Sequence, residues 1–218
     1  MTKPSATVSR QYHSPTRERQ ASITRSNITA AAERLLTSRG YAKTTIEAIA
    51  REAGVSTQTV YAVFGSKRGI LAAILDEKLD NNDALFEIYQ NSLQTTDVYE
   101  ALRLTVDLIR RVCEIQSPVY ELLRGAGVLD PELALINKAR EKINQERADE
   151  HIRNILNNDP VHHLKRGMNP RMAQDIFWCL CNRDIYRILV QERGWTAETY
   201  ADWLYDMLVG SLFERKEG

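Results

Sequence analysis

Four neutral hydrogen-bonding side chains, Ser56, Thr57, Gln58 and Thr59, stand in a row inside the stretch GVSTQTVYAVFGSK, residues 54–67. Between Gly54 and Lys67 there is no His, Cys, Asp or Glu, so the row carries no general acid, base or nucleophile of the usual kind. It is suited to recognition. Hydroxyls can bond base edges or phosphates, a glutamine amide can pair in bidentate fashion with adenine, and threonine methyls can meet thymine methyls. Tyr61 and Lys67 follow where a polyanion's backbone would run. Lys43, Thr44 and Thr45 precede a second short helical run, whose free N–H groups and dipole favour a phosphate.

The elements that must hold these residues are helices. Thr44 and Glu47 fit a capping box, which predicts a helix from near Thr45 to Gly54. Its Ile46, Ile49, Ala50 and Ala53 share the inward face. Gly54 permits the left-handed backbone of a tight turn. Val55 packs in that turn, Ser56 caps the next helix, and Val60 is buried with Val63 or Phe64. Before this pair, residues 24–39 place Ile28, Ala31, Ala32, Leu35 and Leu36 on one stripe that Gly40 ends. After it, Ser66 opens a helix through KRGILAAILDEKLD. Two short helices around a glycine turn make a helix-turn-helix, which leaves the outer face of the second helix free for a DNA major groove. A plain hairpin with a solvated polar face is the competing reading. Ala50, Gly54, Val60, the caps and the basic surroundings together favour the helix-turn-helix.

Charge supports that choice. The 218-residue chain has a formal net charge of zero. Yet residues 1–68 hold 11 Lys/Arg against 4 Asp/Glu, while the remainder holds 18 against 25. A basic first third in a neutral chain points to a polyanion partner for that third. Three cysteines, Cys113, Cys179 and Cys181, do not suggest a disulfide framework, and a cytoplasmic location is expected. Residues 1–21 are rich in Ser, Thr, Pro and basic residues and are expected to form a flexible tail.

These residues carry a specific resemblance. GYAKTTIEAIAREAGVSTQTVYAVFGSKRGILAAIL, residues 40–75, resembles the DNA-binding module of the TetR family of bacterial transcriptional regulators. Gly40–Tyr41, Thr44–Thr45, the Ile49-Ala50 to Ser56 core, Val60–Tyr61, Phe64 and Lys67 all match. Ala62 and Val63 depart from the pattern, where many members carry a second aromatic and a histidine. The resemblance implies an all-α protein with a three-helix DNA-binding domain at 22–68 and a larger helical ligand-binding and dimerisation bundle at 69–218. It implies DNA contacts from Thr45, Thr57, Gln58, Thr59, Tyr61 and Lys67. Lys43, Thr44 and Ser56 join them from the residue reading.

The rest of the chain reads as helical, with helices expected near 97–116, 118–125, 131–157 and 170–192, the last broken near Asn182. Thr196 opens a final helix. Tyr99, Tyr120, Phe177 and Trp178 are candidate aromatic lining for an effector pocket. Ile176, Leu180, Tyr200, Trp203, Leu204, Met207, Leu208 and Ser211 are candidates for a four-helix homodimer interface. His162–His163 and the two later cysteines lack standard zinc spacing, so no metal is expected. The charge-rich stretch 138–153 reads as a solvated helix face. No P-loop, dinucleotide fingerprint, zinc-protease motif or hydrolase elbow is present, so no enzyme and no cofactor are expected. The expected function is a regulator, a repressor that leaves a palindromic operator when a small-molecule inducer binds. The alternative is a helical interaction module that no longer reads DNA.

Overall fold

A computed structural model describes residues 15–80, 82–127, 131–159 and 163–214. They form ten α-helices in order: α1 Pro15–Arg39, α2 Ile46–Ala53, α3 Thr57–Phe64, α4 Lys67–Asp80, α5 Asp83–Gln94, α6 Val98–Gly127, α7 Pro131–Asn158, α8 Pro170–Leu180, α9 Arg183–Tyr186 and α10 Ala197–Leu212. A π-helical segment, Arg187–Glu192, links α9 to α10. Among the described residues the only extended pairing is an isolated antiparallel bridge between Leu164 and Phe213. None of the described helices is long and apolar enough to cross a membrane.

The chain divides into two compact units, residues up to Leu71 and residues from Ala72. In the first, α1 buries Ile28, Ala31, Ala32, Leu35 and Leu36, α2 buries Ile46, Ile49 and Ala50, and α3 buries Val60. α1 packs on α2 and α2 on α3. α1 begins at Pro15, so residues 15–21 are helical instead of tail; residues 1–14 lie outside the described set.

In the second unit, α5 packs on α6, and α6 packs on α7 and α10. α8 packs on α7 and α10. Its core includes Leu102, Val106, Ile152, Phe177, Tyr200, Leu204 and Leu208. Three features differ from the sequence expectation. α5 is an additional helix, capped by Asn82, whose Oδ1 accepts from Leu85 N–H. The segments 97–116 and 118–125 are one continuous helix, α6, with Pro118 inside it. Ser117 does not cap a new helix there, because its hydroxyl donates back to the Cys113 carbonyl at 2.6 Å. Finally, Tyr200, Leu204 and Leu208 are fully buried within this one chain, so their apolar stripe serves the core and not a dimer contact. Trp203, Ile176, Leu180 and Ser211 are half-buried, and Met207 is exposed.

Candidate nucleic-acid interface and effector cavity

The first unit holds α3 in place through local chemistry. Thr45 is the N-cap of α2, and its hydroxyl oxygen accepts from Ala48 N–H. At the other end Gly54 has φ +69, its N–H reaches the Arg51 carbonyl, and Val55 N–H reaches the Ala50 carbonyl at 2.9 Å. That is the Schellman closure, and it turns the chain directly into α3. Ser56 caps α3 by accepting from Thr59 N–H at 3.1 Å, and the Ser56 and Thr59 hydroxyls lie 2.8 Å apart. Ser66 then caps α4 by accepting from Gly69 N–H. Gly69 sits so close to the end of α3 that a Cβ there would lie 2.1 Å from the Phe64 carbonyl oxygen. On the other side of α3, the Arg25 guanidinium stacks over the Phe64 ring at 4.7 Å.

This anchoring leaves one face of α3 open. Val60 is 1% exposed and points inward. Gln58 is exposed and Thr57 half-exposed, and neither side chain makes a hydrogen bond among the described residues. Tyr61 is 51% exposed, and Lys43 and Thr45 are exposed beside the start of α2. The structure therefore keeps Lys43, Thr45, Ser56, Thr57, Gln58, Thr59 and Tyr61 on the accessible side of this unit, with Ser56 and Thr59 also engaged in the cap.

Two expected phosphate contacts have other tasks. Thr44 is 1% exposed, and its hydroxyl lies 2.8 Å from the Gly40 carbonyl and 3.2 Å from that of Leu35. It ties α1 to the turn, and the capping role expected of it falls to Thr45. Lys67 is half-buried; its ammonium donates to the Tyr41 and Thr44 carbonyls at 2.7 and 2.8 Å and sits 3.9 Å above the Tyr41 ring. It holds the α1–α2 turn against α4.

A family model described as bacterial regulatory proteins, tetR family, matches residues 28–74, the segment that contains α2, the glycine turn and α3. Over these residues the chain is similar to the tetR family. The HTH-type transcriptional regulator AlkX of Mycobacterium tuberculosis (strain ATCC 25618 / H37Rv) is 34% identical over 85 residues, 37% of this chain. The match spans 40% of that relative's length. Two solved structures share the fold over most of the chain. SmeT in complex with triclosan, a repressor from Stenotrophomonas maltophilia, is 20% identical with a TM-score of 0.68, covering 88% of this chain and 93% of that one. NalD, the secondary repressor of the MexAB-OprM multidrug efflux pump in Pseudomonas aeruginosa, is 23% identical with a TM-score of 0.64, covering 91% and 100%. This likeness of fold covers the helical bundle as well as the first unit.

That bundle carries a cavity of about 680 Å³ that opens to solvent, a size suited to a drug-sized ligand. Of the aromatic candidates, Tyr120, Phe177 and Trp178 are on its wall. Tyr99 is not; its hydroxyl donates to the Glu214 carbonyl at 3.4 Å and its ring packs against His163 and Phe213.

The wall also holds two groups that the sequence reading missed. His151, in the stretch expected to be solvated, is 6% exposed. Its Nε2 lies 2.9 Å from the Thr105 hydroxyl, whose one proton is committed to the Ala101 carbonyl at 2.7 Å. Nε2 must therefore donate, which leaves Nδ1 as a bare acceptor. Nδ1 is buried and has no partner among the described residues. Burial pushes the imidazole pKa down to about 4, so the ring is neutral at pH 7. The second group is Arg183, whose guanidinium stacks over Tyr120 at 4.6 Å and makes no ion pair among the described residues. Burial, helped by the Arg140 cation, lowers its pKa from the ordinary arginine value. The sequence signal for His151 was its place beside Ile152 and three residues after Ala148, on the buried stripe of α7. Among the described residues no cluster of three His, Cys, Asp or Glu is placed to hold a metal.

Proposed function

We propose that the chain is a homodimeric, sequence-specific DNA-binding repressor released from its operator by a small molecule. The observation that carries this reading is the free outer face of α3. Gln58 and Thr57 are accessible and uncommitted, while Val60, the Gly54 turn and the Gly69 contact fix the helix behind them. Side chains that discriminate between bases must be both available and rigidly held, since a misplaced amide loses the bidentate geometry. Thr45, Lys43 and Tyr61 supply flanking contacts to phosphate.

Two such heads, one from each subunit, read a palindromic operator with half-sites one or more helical turns apart. The subunits join through exposed parts of α8 and α10, where Met172 and Met207 stand out as exposed apolar side chains. The effector occupies the 680 Å³ cavity and favours a state whose head spacing no longer fits the operator. That is a population shift driven by differential affinity, with no chemistry required. The relative SmeT is known in complex with triclosan, which supports a ligand-accepting bundle in this chain as well. The protein works in the cytoplasm. No observation favours an interaction module that has lost DNA binding.

The test is selection of genomic fragments by the purified full chain, followed by binding of the selected site across a salt series. A palindromic site is expected, with affinity falling steeply as salt rises. Failure to enrich any sequence, or enrichment without palindromy, would overturn the reading.

A further inference from the structure

We propose that the cavity of the second unit takes an elongated organic anion, with a carboxylate against Arg183 and a hydroxyl or amide N–H donating to His151. The inference rests on the reading that this cavity is the effector site, and it names the ligand chemistry.

Arg183 sets the anionic end. It opens α9, lies over Tyr120 and lines the cavity wall. The nearby carboxylates are engaged elsewhere: Asp184 with Arg187 at 3.1 Å, and Glu121 with Arg124 at 3.0 Å. Glu141, also on the wall, accepts from the Asn137 amide at 3.2 Å. A sequestered guanidinium without a counter-ion is costly, and a carboxylate presented in the plane of its fork relieves that cost. A cationic ligand would instead face Arg183 directly.

His151 sets the other end. Its tautomer is fixed by Thr105, so the atom left unmet is an acceptor. A ligand carboxylate cannot satisfy an acceptor, whereas a hydroxyl or amide N–H can. At the Tyr120 end, Asn137 leaves its Oδ1 buried and without a partner among the described residues, so a second ligand donor can be met there beside the carboxylate.

The span between the ends follows from α6. Thr105 marks the His151 end and Tyr120 the Arg183 end; at 1.5 Å per residue these points are roughly 22 Å apart along the helix. Leu108, Ile109, Val112, Phe177 and Trp178 line the wall as well, so the body of the ligand is apolar. A medium- to long-chain hydroxy acid has this layout.

The experiment uses the full-length protein and three probes: 12-hydroxydodecanoate, its methyl ester and plain dodecanoate. Binding is read by calorimetry and by quenching of tryptophan fluorescence, since Trp178 is on the wall. The hydroxy acid is expected to bind at least tenfold more tightly than its ester, and Arg183→Gln to erase that difference while leaving the ester unchanged. The hydroxy acid is also expected to exceed dodecanoate several-fold, an advantage lost in His151→Phe. If that variant does not fold, the 15N resonance of His151 Nδ1 in the wild-type chain gives the same answer, because it must shift with the hydroxy acid and not with dodecanoate. Equal binding of acid and ester, an unaltered preference in Arg183→Gln, or no binding by any probe would overturn the inference. Release of operator DNA is measured separately. Binding with these preferences but without release would refute the ligand-released reading and leave the anion chemistry standing.

Discussion

The two units treat their polar groups in opposite ways. In the first, buried and half-buried polar side chains are satisfied from within: Thr44 is bonded to the end of α1, and Lys67 donates to two carbonyls. What remains unpaired, Thr57 and Gln58, faces outward. In the second, unmet groups are kept inside or on the cavity wall: His151 Nδ1, Asn137 Oδ1, the Tyr200 hydroxyl and the Arg183 guanidinium. Buried unsatisfied groups are expensive, so several in one bundle mark a place where something else belongs. A reading head needs a rigid interior and a free surface. A sensing bundle needs an interior that is incomplete until its ligand arrives.

Disturbing the rigid unit should have the largest effect. Gly69→Ala sets a methyl against the Phe64 carbonyl, a backbone atom that cannot step aside. A loss of about 1–3 kcal/mol is expected, as for other overpacked sites, together with loss of DNA binding. Thermal unfolding and operator titration check it. Gly54→Ala meets no atom within 4 Å and suffers only from its φ of +69, so it should cost less, about 1 kcal/mol.

The incomplete interior predicts a pH dependence of the second unit. The folded pKa of His151 is about 4 against 6.5 for an ordinary histidine, so the unfolded chain binds the proton more readily. Stability is therefore complete above pH 6.5 and falls as the pH drops toward 4, by up to about 3 kcal/mol. Urea titrations at stepped pH should show this, and a folded His151→Phe variant should lack it.

Smaller effects separate the two threonine environments. Thr44→Val removes a buried hydroxyl and should cost about 1 kcal/mol of stability. Thr57→Val should leave stability within about 0.5 kcal/mol and act on DNA affinity alone. Smallest of all, Tyr200→Phe deletes a buried hydroxyl that has no partner, and should be neutral or slightly stabilising by chemical denaturation.

What was legible in the sequence was local. Gly54, Ser56, Ser66 and Thr196 signal caps and turns within four residues of their partners, and the structure uses each of them at that place. What was not legible depended on distant contacts. His151 reads as one more polar residue in KAREKINQERADEHIR until Thr105, 46 positions away, is brought to it. Lys67 reads as a phosphate ligand until folding sets Tyr41 and Thr44 beneath it. Residues 97–116 and 118–125 read as two helices, yet α6 runs through Pro118 without a break. On α10, periodicity found the apolar stripe, but only the packed bundle shows that Tyr200, Leu204 and Leu208 are spent within the subunit.

We propose that the exposed, uncommitted face of α3 reads bases. Its most direct test is a base-by-base substitution scan of the selected operator with the wild-type chain and with Gln58→Ala. The variant is expected to fold normally, to lose about 1–3 kcal/mol on the best site, and to lose discrimination at one base pair per half-site. A Gln58→Ala chain that binds as tightly and discriminates as well at every position would contradict it.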